Sequence, residues 1–285
     1  MMRRGSLLCL GLMSVVSLSA CTAEFEREGP TFDEFMADSI RLADGRIIAD
    51  QDILFADEEA ARDYFEEEMA DSASRLGLDD DDLDQPRSTV NLVDGVEDTW
   101  PGAAGQHLTY CVDTGSFGSR GSTLRAALDR AMDSWSDRVG VQFEEVDVDD
   151  CDHRTQEVVF DVRWSDSSLF FASGFFPSSS RSERELLVTT EAFTTNLGGR
   201  DLEGILRHEL GHVLGLRHEH VWLTPLCTSE TSEDALALTD YDVNSVMHHP
   251  QCRPSGVGGY RQTDLDYLGA FKLYGLSTAL TTTML

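Results

Sequence analysis

The stretch HELGHVLGLRHEH, residues 208–220, places four histidines and two glutamates in thirteen positions. His208 and His212 are four residues apart, so on a helix both imidazoles leave nearly the same face, with their β-carbons about 5–6 Å apart. That suits one shared zinc ion, with Glu209 alongside it. Gly215 lets the chain turn out of the helix through a left-handed conformation that only glycine enters without steric cost. His218 can then swing back as a third ligand. Three neutral nitrogens leave one tetrahedral position open for water, the arrangement of a catalytic zinc, whereas a structural site is closed. The chemistry is hydrolysis. Zinc polarises a carbonyl and lowers the pKa of its water toward about 7. Glu209 takes the proton and returns it to the leaving amine. The competing reading, an amphipathic helix whose histidines face solvent, leaves the joint spacing of histidines and glycine unexplained.

The helix that must position these groups starts near residue 200, where Gly198 and Gly199 punctuate a turn and Asp201 can cap. Leu202, Ile205, Leu206, Leu210, Val213 and Leu214 supply its buried side. Upstream, HLTYCV sets Leu108, Tyr110 and Val112 on one face at period two, the mark of a strand. An amphipathic helix follows, with Ser122 as its expected cap and an apolar stripe of Leu124, Leu128, Ala131, Met132, Trp135 and Val139. VQFEEV and EVVFDVRW read as strands, the second aligning Val158, Phe160, Val162 and Trp164, and ELLVTT (185–190) reads as another. Strands flanked by helices point to an α/β or α+β domain. Its aromatic residues are core at these spacings. From Trp100 onward about 185 residues remain, enough for one domain with its own core.

Met1 to Cys21 has two arginines, an apolar run and small residues before a cysteine, the order of a secretory signal and too short for a membrane span. Its LSAC ending resembles the lipobox of bacterial lipoproteins, which implies lipidation at Cys21. Thr22 follows, so the expected address is the envelope, anchored at the outer membrane on its periplasmic or cell-surface side, with release after processing left open. The expected organisation is a signal over 1–20, an acidic pro-segment or stalk over 21–96, and a catalytic domain over 97–285. Within the acidic part, residues 57–71 read as a helix. The aspartate run after it lacks the spaced ligands, glycine and terminal glutamate of a calcium loop, so calcium stays unsupported. Without the signal, 20 basic residues face 52 acidic ones, a surface that repels nucleic acid and anionic lipid. Membrane attachment is expected only through the lipid on Cys21. Cys111, Cys151, Cys227 and Cys252 form an even set in an exported chain, and two disulfides are the simple reading. Three connectivities exist; Cys111–Cys151 with Cys227–Cys252 closes the shorter local loops.

HELGHVLGLRHEH matches the H-E-x-x-H-x-x-G-x-x-H signature of the metzincin zinc metallopeptidases, and SVMHH, residues 245–249, looks like their Met-turn. TWPGAAGQHLTYCVD resembles their opening strand, and LDYLGAFKLYG the terminal helix of matrixin-like members. The resemblance implies a zincin-like α+β fold, a twisted mixed β-sheet with an active-site helix and a C-terminal helix. It implies one catalytic zinc on His208, His212 and His218, Glu209 as general base and acid, and Met247 packing beneath the metal. ELLVTT would be the edge strand along which an extended peptide aligns. Glu219 follows the third histidine as in astacins, where it engages the new N-terminus; a solvated surface glutamate is the alternative. His220 has no reason from spacing to reach the metal and reads as a surface residue. Astacins carry tyrosine two residues after the Met-turn methionine. His249 stands there, a candidate transition-state stabiliser that could instead be a fourth nitrogen ligand or a neutral replacement.

The implied activity is a zinc-dependent endopeptidase acting on protein or peptide substrates as a monomer. A silent zinc-binding surface protein and an envelope hydrolase of cell-wall cross-links are the alternatives. Latency by a pro-segment cysteine is excluded, because none lies between Thr22 and Tyr110. Astacins use an aspartate. Asp52, Asp94 and Asp98 are candidates.

Overall fold

The computed structural model describes residues 31–49, 52–70, 88–102, 107–194, 200–223, 234–253 and 260–277. The signal, Cys21, the aspartate run and Cys227 lie outside them. The twelve strands among the described residues, in chain order, are β1 (Ile40–Arg41), β2 (Ile47–Ala49), β3 (Ile53–Phe55), β4 (Thr89–Val93), β5 (Val96–Glu97), β6 (His107–Val112), β7 (Gln142–Glu145), β8 (Phe160–Trp164), β9 (Ala172–Ser173), β10 (Glu185–Val188), β11 (Leu216–Arg217) and β12 (Ala235–Ala237). The longer helices are α1 (Glu58–Ala70), α2 (Gly121–Ser136), α3 (Leu202–Val213) and α4 (Asp264–Tyr274).

The central sheet has the order β7-β6-β8-β10-β9. Its β6–β7, β6–β8 and β8–β10 pairs are parallel and only β9 runs antiparallel, so this is the mixed sheet of an α+β fold. The α2 stripe from Leu124 to Val139 is buried as its spacing requires, and it packs with α3 against the sheet. Trp135 donates its indole N–H to the Arg207 carbonyl of α3 at 3.1 Å. Ser122 is not the cap of α2. The helix starts at Gly121, after a short 3-10 turn that already supplies helical backbone at Arg120, so no side-chain cap is used. Asp201 does cap α3, accepting from the Gly204 N–H at 2.8 Å.

The expected edge strand is also corrected. Residues 185–188 form β10, which lies between β8 and β9, and β9 is the edge. All four β10 residues are buried because both faces are covered. Leu186 and Val188 join the main core, while Leu187 packs with Ile48, Leu54 and Phe170. Glu185 is paired with Arg46 at 2.5 Å and with Arg163 at 3.4 Å. Period alone could not reveal that second cover, since it comes from residues about 140 positions upstream.

That cover is the N-terminal unit, an antiparallel β1-β2-β3 sheet with α1, whose core of Phe35, Ile47, Ala49, Ile53, Phe55, Ala61 and Phe65 closes on Phe176. It docks on the sheet edge by main-chain bonds. The Gly174 N–H donates to the Asp52 carbonyl at 3.0 Å, and the Leu54 N–H to the Gly174 carbonyl at 3.2 Å. β4 precedes the boundary expected at 96/97, yet its hydrogen bonds go to β11 and β12, so it is built into the later part of the chain. Cys111 and Cys151 form a disulfide with α-carbons 5.7 Å apart, as expected. Cys252 is disulfide-bonded as well, and the Cys227 side of the second expected pair lies outside the described residues.

Gly215 has φ +85°, and a β-carbon there would meet the Asp98 carbonyl oxygen at 2.1 Å. Gly215→Ala is therefore expected to lose about 2 kcal/mol or more, from left-handed strain plus the clash. Urea unfolding checks this as a fall in midpoint at constant m-value; an unchanged midpoint contradicts it.

Candidate metal centre

His208 and His212 leave α3 side by side, ring centroids 4.9 Å apart, and the turn at Gly215 brings the His218 ring to 4.7 Å from His212. The Nε2 atoms of His208 and His218 are 3.2 Å apart. The opposite ring nitrogens are fixed by backbone carbonyls. His208 Nδ1 pairs with the Val246 oxygen at 2.7 Å and His212 Nδ1 with the Leu216 oxygen at 2.8 Å. A carbonyl only accepts, so each Nδ1 carries the proton and each Nε2 lone pair faces the centre. Burial pushes His212 down to about 4, against the pull of Asp52. Its imidazole is neutral, as a metal ligand must be.

Asp52, from the turn between β2 and β3, lies at the focus of these rings. Its Oδ2 is 3.2 Å from His208 Nε2 and 3.2 Å from His249 Nε2. Its Oδ1 is 3.3 Å from His212 Nε2 and 3.4 Å from His218 Nε2. Burial alone would raise the Asp52 carboxyl, but the surrounding His218, His212 and His208 outweigh it and hold it well below the usual range. His212 Nε2 and Asp52 Oδ1 are buried and make no well-formed hydrogen bond to a described residue. Two imidazole lone pairs fixed inward, the His218 Nε2 beside them and a buried carboxylate fit a divalent cation such as zinc. Of the other candidate aspartates, Asp98 is engaged by Ser178 at 2.7 Å and Asn91 at 3.0 Å, and Asp94 sits in the exposed β4–β5 turn.

Glu209 is buried beside the rings, and burial followed by the Asp52 charge pushes its carboxyl well above the usual range. Met247 lies under the centre against α3, so close that a β-carbon on Gly211 would come 2.2 Å from its sulfur. The Met-turn is held from α4. Asp266 accepts from the Ser245 hydroxyl at 2.5 Å and the Val246 N–H at 2.9 Å, which in turn aims the Val246 carbonyl at His208.

Two expectations fail here. His220 is fully buried, its ring 4.9 Å from both His218 and His249, with His248 at 5.4 Å. The Met-turn folds back over the 3-10 turn that follows His218, which spacing along one helix cannot show. Glu219 is no solvated surface residue either. It is 1% exposed and accepts from the Asp242 N–H at 2.9 Å. His249 is buried with its Nε2 turned to the centre, and burial pushes it down to about 3.

Residues 99–249 match the matrixin family, Peptidase_M10, over more than half of the chain. The chain belongs to that family. It is 27% identical over 136 residues to matrix metalloproteinase-16 of Homo sapiens and of Mus musculus, across 40% of this chain and 21% of each relative. It therefore spans about a fifth of those relatives' length. Among solved structures it is similar to myroilysin, with a TM-score of 0.44 at 15% identity over 65% of this chain and 98% of that one. Matrixin membership stands although Glu219, the residue after the third histidine, is the astacin choice.

Burial raises the Glu219 carboxyl to about 8 from 4.5. The folded state therefore holds a proton that the unfolded chain releases, so this stability is complete below pH 4.5 and is lost as pH rises through about 8. Glu219→Gln keeps the acceptor for Asp242 and removes the titration. The stability difference between variant and wild type should grow in the variant's favour by about 1.4 kcal/mol per pH unit across that window. A difference independent of pH, measured by urea unfolding from pH 5 to 8.5, contradicts it.

Proposed function

We propose that this matrixin-family chain is a zinc metalloendopeptidase made as a latent precursor, in which Asp52 fills the place of the substrate. The observation that carries the reading is the Asp52 carboxylate, with one oxygen against His208 and His249 and the other against His212 and His218, all at 3.2–3.4 Å. Zinc, when bound, supplies a Lewis acid that brings the pKa of its water to about 7. His208, His212 and His218 would hold it through Nε2. Glu209 takes the proton of the attacking water and gives it to the leaving amine, a task that suits a carboxyl raised by burial. His249 directs its Nε2–H to the position of Asp52 Oδ2, where the carbonyl oxygen of a substrate develops negative charge.

The substrate strand runs along β9, and Gly174, the residue that continues it, already exchanges main-chain hydrogen bonds with Asp52 and Leu54. Removal of the N-terminal unit frees that edge. β4 stays behind, held by β11 and β12. Export by the N-terminal signal and lipid attachment at Cys21 complete the proposal, with the enzyme working as a monomer in the bacterial envelope.

The test uses the full chain after the signal, loaded with zinc, on a mixed fluorogenic peptide library. Asp52→Ala should cleave at least about tenfold faster than the unprocessed wild type, because the competent fraction rises. Adding Glu209→Ala should retain zinc and lose about 10²–10⁴-fold in rate. Zinc retained in all three proteins with no cleavage by Asp52→Ala, either intact or after limited proteolysis has removed the N-terminal unit, overturns the reading.

A further inference from the structure

Two buried histidines take no part in the proposed reaction. His220 and His248 are fully buried, their rings 5.4 Å apart, and the His220 ring is 4.9 Å from that of His249. A neutral imidazole in the interior loses hydration at both nitrogens, so each nitrogen calls for a partner. Both side chains find one on the backbone of His249. The His249 N–H donates to His220 Nδ1 at 3.4 Å, and His248 Nδ1 pairs with the His249 carbonyl at 3.0 Å. We infer that His220 and His248 are positioning residues for the reaction, gripping the peptide groups on either side of His249 so that its imidazole is aimed at the oxygen where negative charge develops. The inference rests on the peptidase reading, with His249 as oxyanion donor, and adds the residues that set the donor's aim.

The tautomers follow from the partners. A backbone N–H only donates, so His220 Nδ1 is unprotonated and accepts. A carbonyl only accepts, so His248 Nδ1 carries the proton, and its Nε2 accepts from the Tyr241 hydroxyl at 2.9 Å. Tyr241, half-buried, thereby selects the tautomer that His248 needs. The His249 carbonyl takes a second bond from the Cys252 N–H at 2.9 Å. Arg253 spans the same turn, donating to the carbonyls of Ser245 at 2.9 Å and His248 at 3.1 Å. Pro250 follows His249 and has no N–H, so the carbonyl is the one group by which that peptide can be held.

Neither histidine is arranged as a metal ligand. Both nitrogens of His248 are engaged, and the Nδ1 lone pair of His220 is used by the His249 N–H. Neither belongs to a group that could hold a metal among the described residues. Packing alone would be served by leucine, which has no polar group to desolvate. Leucine cannot supply two bonds of opposite sense to one residue, and His249 has a use for them. An oxyanion donor works at about 2.7–3.1 Å, and an imidazole arm is short, so its reach is set by the backbone that carries it. His249 Nε2 is 3.2 Å from Asp52 Oδ2, which stands in for that oxygen. A misplacement of about 1 Å at such a donor costs on the order of a hundredfold in rate.

The experiment takes the zinc-loaded Asp52→Ala chain as parent and measures kcat and KM separately on one fluorogenic peptide. His249→Ala should lower kcat by about 10²–10³-fold. His220→Leu and His248→Leu should each lower kcat by roughly tenfold or more at unchanged KM and zinc content, because the donor loses its aim while the metal ligands remain. His220→Asn keeps an acceptor at the Nδ1 position and His248→Asn a donor, and each should recover most of that loss. Tyr241→Phe lets His248 take the other tautomer and should lower kcat as well. In the His249→Ala background none of these three losses should remain. Losses that add to that of His249→Ala overturn the inference, and so does an unchanged kcat in both leucine variants. Should a leucine variant fail to fold, Tyr241→Phe decides, an unchanged kcat overturning the inference. His249→Ala as fast as the parent overturns the oxyanion role and this inference together. An uncleaved peptide with the parent, intact or trimmed of its N-terminal unit, overturns the peptidase reading beneath both.

Discussion

A carboxylate can be buried only where charge and hydrogen bonds replace the water it loses. Asp52, 7% exposed, is placed between four imidazoles, and the architecture around it follows from that requirement. His208, His212 and His218 must aim their Nε2 atoms at the position of the metal from two directions, a helix and the turn beyond it, while His249 of the Met-turn offers its N–H to the carboxylate. The aspartate arrives from an element outside the central sheet. The β2–β3 hairpin does this by pairing with Gly174 at the sheet edge, where its backbone bonds fix the carboxylate's height over the rings.

What keeps the rings in place lies outside α3. His208 depends on the Val246 carbonyl, hence on the Met-turn, hence on Asp266 of α4. His212 depends on the Leu216 carbonyl of β11, and β11 is a strand because it pairs with Val90 and Thr89 of β4. The Asn91 N–H binds the Gly215 carbonyl at 2.8 Å, so the left-handed turn that delivers His218 is braced by the same strand. Segments from both ends of the described chain thus converge on the helix that carries the chemistry. Each supplies a hydrogen bond that sets a tautomer or a turn, the kind of outer support on which metal affinity depends.

Much of this was legible in the sequence, and the reason is locality. The spacing of His208 and His212, the glycine at 215, the Asp201 cap and the apolar stripe of α2 act within a few residues, so periodicity and turn chemistry reveal them. The losses have separate causes. The resemblance makes β10 an edge, but the strand outside it, β9, is only two residues long and leaves no period to read, and His220 reads as exposed because the Met-turn that buries it is about 28 residues away. Asp52 carries no local mark, being one acidic residue among many, and its partners lie 156 to 197 positions downstream. Only the folded hairpin singles it out.

The most direct test of the account is the ligand shell of zinc in the intact chain, read by X-ray absorption together with metal stoichiometry. The account predicts one zinc per chain with three or four imidazoles and a carboxylate oxygen, and Asp52→Ala should replace that oxygen by one from solvent while keeping the imidazoles. A shell unchanged in kind and distance by Asp52→Ala, or one with fewer than three imidazoles, would contradict it.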